Sequence, residues 1–187
     1  MSQPNDDQSA PKRQKTQEDT VKVAFIPRVA EARGPDQTTF RISKRAAALS
    51  SVLRGWIEEC SSGEVSVIPV SPPTNRDHNF TAEDLRLTLE LMEAAKQEPA
   101  SDAYALARRI FADREKMCGI SNAAQYLDAP EVTEMVASHF VDSTAGMAPP
   151  QIREFMGLPR WESMTPEEIV KERESDVVKM WIYYLTR

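Results

Sequence analysis

The chain is poor in cysteine, histidine and glycine, and it contains no long apolar run. Its two cysteines, Cys60 and Cys118, are too few for a disulfide framework and show neither a CxxC neighbour nor metal-ligand spacing. Each falls in an apolar helical pattern, so buried thiols are expected. The two histidines, His78 and His139, stand far apart without evident catalytic companions. Neither a metal nor a catalytic triad is expected. The glycines form no phosphate-cradling loop, and no nucleophile–base set is visible. The expectation is a protein that is not an enzyme and carries no cofactor. No apolar stretch approaches the ~20 residues of a membrane span, so no membrane partner is expected. Residues 1–20 hold no apolar segment of the signal-peptide kind, which leaves the cytoplasm, the nucleus or both. Basic charge is not in excess: the net charge is −6. Readers of nucleic acid carry basic faces, so none is expected as a partner.

What is present fits one domain with appendages. The chain has 187 residues, 41% of them hydrophobic and 28% charged, which suits a single core. Residues 1–20 are polar and cannot bury enough surface to offset their ordering entropy, so a disordered tail is expected there. The basic cluster Pro11-Lys-Arg-Gln-Lys15 reads as part of that solvated tail, with a nuclear-localisation signal as the alternative. Residues 21–26 set Val21, Val23 and Phe25 on one side of a strand. A loop over 27–37 with Gly34-Pro35 leads to a second strand over 38–42, its expected partner. Ser43 is placed to cap a helix. Ala46, Leu49, Leu53, Trp56, Ile57 and Cys60 then recur at spacings of three and four, as one apolar face up to Gly63. Residues 65–70 read as a third short strand.

The remainder reads as helical. Thr81 caps a helix with Asp84 three residues on, and Leu85, Leu89 and Met92 form its stripe. Ser101-Asp102 starts another, with Leu106, Ile110 and Phe111 on one side. Met117, Ile120, Ala123, Ala124 and Leu127 give a third stripe, interrupted by Gly119 at a cost of about 1 kcal/mol relative to Ala. Asp128-Ala-Pro130 turns the chain and places Pro130 at the first turn of the next helix. That helix shows Val132, Met135, Val136, His139 and Phe140 on its face and is stopped by Gly146. After Pro149-Pro150, a short helix carries Ile152, Phe155 and Met156 as far as Gly157. Residues 161–164 form a linker. Thr165-Pro166-Glu167-Glu168 is a strong helix start, with cap, proline and acids at the positive end. The expectation is two or three strands followed by about seven helices.

This order of elements resembles a BTB/POZ domain. The run Met117-Cys-Gly-Ile-Ser-Asn-Ala-Ala-Gln-Tyr-Leu-Asp128 resembles the family helix that ends in Ala-Ala-Asn-Tyr-Leu-Asp. It continues without a gap through Gly146 and Pro149 to Ile152-Arg153, where the family has Gly-Lys-Thr-Pro-Glu-Glu-Ile-Arg. Residues 165–168 resemble the family's Phe-Thr-Pro-Glu-Glu-Glu. The whole resembles a divergent Skp-type adaptor of SCF ubiquitin ligases. That resemblance implies an α/β fold of the BTB/POZ kind over 21–147, with a C-terminal dimerisation or F-box-binding helical extension over 148–187. It implies F-box proteins and a cullin as partners in ubiquitin-dependent degradation. It also implies a cullin-facing pair at Gln125 and Tyr126. The F-box surface would be drawn from Ile152, Arg153, Phe155, Met156, Leu158, Ile169, Val177, Val178 and Trp181. Pro166 corresponds to a proline that some lineages of the family hydroxylate and glycosylate, while its position as the first helical residue is sufficient explanation here.

Departures from the family pattern define the alternative. Gln125 stands for asparagine, Asn122 for leucine, and the segment after Ile152 is altered. A diverged BTB/POZ scaffold is the other reading. It would bind an F-box-like partner or self-associate, without a cullin, in a kinetochore or another non-degradative complex. Tyr126 has a second reading of its own, as a tyrosine that packs its ring and wets its hydroxyl. The apolar end of the last helix, with Val177, Val178, Met180 and Trp181, exceeds the stripe of about 100° that packing on one body needs. A clasp on a partner through Trp and Tyr anchors is the expected use, with simple docking onto the core as the alternative. Glu167, Glu168, Glu172 and Glu174 read as a solvated helix face.

Overall fold

The computed structural model describes residues 20–27, 38–59, 67–72, 79–97 and 101–173. The expected tail over 1–19 with its basic cluster, most of the hairpin loop, Cys60, His78, Val177, Val178, Met180 and Trp181 lie outside the described residues.

The N-terminal strands form as their alternation requires. Strand β1 (Thr20–Phe25) pairs antiparallel with β2 (Thr38–Ser43), with Val21 opposite Ile42 and Val23 opposite Phe40. The short β3 (Ile68–Val70) runs parallel to β1 on its other side, giving the order β2-β1-β3. Val21 and Val23 are buried together with Ala24 and Phe25, as befits the central strand. Pro69 sits on the edge strand β3, where its missing N–H costs the ladder least.

Ser43 caps the helix that follows, accepting from the Ala46 N–H at 3.1 Å. That helix is not continuous to position 60 as expected. It is split into α1 (Lys44–Ala47) and α2 (Ser51–Glu59). Ser50 causes the break: its hydroxyl donates to the Leu127 carbonyl and accepts from the Leu53 N–H at 3.0 Å. A serine that satisfies the backbone in this way competes with helix continuation. The phase of α2 consequently leaves Trp56 40% exposed while Leu53 is buried, so Trp56 does not belong to the core face assigned to it.

Helix α3 (Ala82–Ala95) begins with the expected capping box between Thr81 and Asp84. It packs against α1, β2 and the later helices α4 (Ser101–Phe111), α5 (Arg114–Leu127) and α6 (Pro130–Thr144). Leu85, Leu89, Leu91 and Met92 meet Met117, Ile120, Ala123, Ala124, Leu127, Val132, Val136 and Phe140 in one buried cluster with the sheet. Asp113 caps α5 through its side chain, and Asp128 ends it in the left-handed region, with φ 49°. Beyond Gly146 come α7 (Pro149–Phe155), a 3-10 turn (Trp161–Ser163) and α8 (Pro166–Arg173). The described residues thus form a mixed α/β structure with a small three-stranded sheet and eight α-helices. No helix among them is long and apolar enough to cross a membrane.

Candidate functional site

Helix α5 carries the candidate positions at both of its ends. Its buried stripe is Met117, Ile120, Ala123, Ala124 and Leu127. Successive helical positions lie about 100° apart, so Gln125 and Tyr126 fall outside that stripe. Tyr126 is 37% exposed, with its ring 5.4 Å from that of Phe80. Phe80 in turn meets Phe25 edge-on at 6.1 Å. Gln125 is half-buried beside it. Asn122 donates its side-chain amide to the Asn79 carbonyl at 3.0 Å, fixing the entry to α3. The turn after α5 is tied to α2: Ser51 donates its N–H to the Asp128 carbonyl at 3.2 Å and its hydroxyl to the Asp128 carboxylate. This end of α5 is therefore a fixed surface with a tyrosine ring at its edge.

The opposite end of α5 anchors the C-terminal segment. The Arg114 guanidinium donates to the Phe155 carbonyl at 3.0 Å and the Glu154 carbonyl at 3.4 Å. A cation at the carbonyl end of a helix is favourably placed against the macrodipole. Gly157 makes this approach possible. Its φ is +67°, and a Cβ there would lie 2.6 Å from an Arg114 nitrogen. Ile152, Phe155 and Met156 are partly buried against the core, and the Phe155 ring lies 6.0 Å from Phe140.

Arg153 occupies a different environment from its neighbours. It is 7% exposed. Its Nε donates to the Pro159 carbonyl at 3.0 Å and one terminal nitrogen reaches Met164 Sδ at 3.3 Å. The guanidinium carbon stands 3.6 Å from the centre of the Trp161 ring. The side chain thus ties the chain's return over 157–164 onto α7. Trp161 remains 37% exposed on the outside of this fold. Leu158 and Ile169 are half-buried, and Val170 is 55% exposed. Thr165 and Glu168 form a capping box at α8: the Glu168 N–H donates to Thr165 Oγ1 at 3.2 Å, and the Thr165 N–H to Glu168 Oε2 at 2.8 Å. The backbone N–H of Thr165, with its side chain, holds the Glu168 carboxyl below its ordinary pKa.

Of the residues named from the sequence, Gln125 and Tyr126 are brought together at one end of α5. Ile152, Phe155 and Met156 are gathered with the anchored segment at the other end. Arg114, Trp161 and Met164 complete that segment and carried no signal in the sequence, because Arg114 reaches distant backbone carbonyls and the other two meet Arg153 from a turn. Cys118 is exposed rather than buried: the helical phase that buries Met117 turns the next residue outward. Desolvation by the surrounding protein nevertheless raises its pKa, against the opposing field of Arg114. His139 has a companion one turn away, Ser143 Oγ at 3.3 Å, and its ring packs on Phe111 at 5.5 Å. Among the described residues no group of three His, Cys, Asp or Glu side chains could hold a metal ion. No protein-family model matches the chain, and no curated protein matches it.

Proposed function

We propose that the chain is a non-enzymatic adaptor of the Skp type, of BTB/POZ fold with a C-terminal helical extension. In this reading it links a cullin to F-box proteins in ubiquitin-dependent degradation, in the cytoplasm or nucleus. The observation that carries the reading is the division of α5. Tyr126 stands exposed at one end, and Arg114 fixes the C-terminal segment at the other, roughly 18 Å away along the helix. One rigid element then spaces two surfaces, as a bridge requires.

The cullin would meet Tyr126 and Gln125. An F-box would meet the exposed side of the C-terminal segment, with Trp161 and Val170 available in addition to Leu158 and Ile169. Arg153 acts there as a positioning residue that shapes the segment from within. Trp181 is the expected anchor further along, and truncating an anchor of this type costs ~2 kcal/mol or more of binding.

Affinity purification of the tagged full chain from its own cells tests this directly. Recovery of a cullin together with several F-box proteins is the expected result. A Tyr126→Ala variant should lose the cullin and keep the F-box proteins. Gln125 in place of asparagine, and the engagement of Asn122 with Asn79, favour the second reading, a scaffold without a cullin. Recovery of F-box proteins alone, or of the chain only with itself, would select it.

A further inference from the structure

A trough of about 380 Å³ lies where α3, α4 and the start of α5 meet, and its lining includes none of the residues assigned to the two surfaces described above. Its floor is apolar: Leu87 is buried, and Leu106 and Ile110 are half-buried. Its rim is charged, and the charges are unevenly satisfied. Glu83 is held by Arg86 through two contacts of 2.8 Å, and Arg86 reaches Glu90 as well, at 2.9 Å. Asp113 accepts from the Glu115 and Lys116 N–H groups as the cap of α5, and lies 3.7 Å from Lys116 Nζ. Both carboxylates on the rim are therefore engaged. Arg109, exposed in the last turn of α4, has no ion pair among the described residues. The lining has three cations and two carboxylates, with Glu90 on Arg86 beside it, so the cation left without an ion pair among the described residues is Arg109, on a chain whose net charge is −6.

We propose that this trough binds a short acidic peptide segment of a partner protein. One apolar side chain of that segment rests on Leu87, Leu106 and Ile110, and a neighbouring carboxylate pairs with Arg109. The planar fork of a guanidinium suits two-point recognition of a carboxylate, and that of Arg109 has no ion pair among the described residues. The trough is largely open to solvent, so it suits an extended chain that remains partly solvated. Small-molecule sites, by contrast, enclose most of their ligand. Its volume accommodates an anchor and its neighbours. Lys116 lies on the same rim and adds long-range attraction for acidic flanks.

The test uses the full chain and an array of immobilised heptapeptides. Each has Leu, Phe or Met at the centre and flanks of Glu, Ser or Lys. Signal is expected on the Glu-flanked set, with at least a tenfold loss for R109E and a further loss for the R109E/K116E pair. Both positions are exposed, and circular dichroism should show both variants folded. A second variant, R108E, lies on the neighbouring position and should leave the pattern unchanged. Retention of no peptide, equal retention of Lys-flanked peptides, or an R109E pattern identical to the parent would overturn the proposal. Sedimentation of the chain alone completes the test. A self-association that R109E abolishes would give the trough to a second copy and likewise overturn it.

Discussion

Gly119 and Gly157 are placed where another group has taken the space of a side chain. A Cβ on Gly119 would come within 2.3 Å of the Asp84 carboxyl carbon, and Asp84 is the residue that closes the capping box of α3. From sequence alone Gly119 counts only as a weak point in a helix. In the structure it leaves room for the Asp84 carboxylate that caps α3. Gly119→Ala should destabilise the fold by about 2 kcal/mol, through overpacking and loss of the cap, as read from the midpoint of urea unfolding. Cys118, one residue earlier, gives a chemical readout. It is accessible but its pKa is raised, so iodoacetamide at pH 8 should alkylate it completely yet several-fold more slowly than a free thiol. Complete protection would contradict the exposed placement. Residues whose environment is set by their own helix period were legible: Ala123, Ala124, Leu127, Val132, Met135, Val136 and Phe140 are buried as their spacing requires. Arg153 was not legible. Its partners are a carbonyl, a thioether and an indole supplied by a turn that no period describes.

At the level of elements, the break between α1 and α2 and the start of α8 are both decided by hydroxyl caps. Ser50 serves two partners, one of them the last carbonyl of α5. Ser50→Ala should therefore cost about 1–2 kcal/mol and loosen α2 against α5. Faster amide exchange in α2 than in α3 would report it. The periodicity of 46–60 hid this break because a helix of continuous phase and two helices with a short turn give nearly the same spacing. Thr165 was readable as a cap, since the Thr-Pro-Glu-Glu pattern is local. Glu168 titrates below its ordinary 4.5 in the folded chain. Its contribution is therefore present above that value and is lost as the pH falls through the lower folded value. Helix α8 should fray on acidification from pH 5 towards pH 3. Thr165→Val should move the Glu168 midpoint towards 4.5 in an NMR titration, part of the shift surviving through the backbone N–H.

For the whole molecule, the proposed adaptor role makes α5 the spacer. Its two ends hold the Tyr126 surface and the anchored C-terminal segment, and the trough beside its first turn has a lining of its own. The order of strands and helices was legible from turn residues and periods. The docking of α7 was not, because it rests on Arg114 reaching 40 and 41 residues along the chain. Arg114→Ala should leave the core intact and remove a helix-end interaction of about 0.3–1 kcal/mol; under the proposed adaptor role it should also weaken F-box binding and leave cullin binding unchanged. The bridging role itself is tested most directly by one reconstitution. The purified chain is mixed with an F-box segment and a cullin N-terminal domain, and the products are weighed by size-exclusion chromatography with light scattering. A single species containing one copy of each is the expected result. Two binary complexes that never combine, or an F-box complex that leaves the cullin unbound, would contradict the bridge.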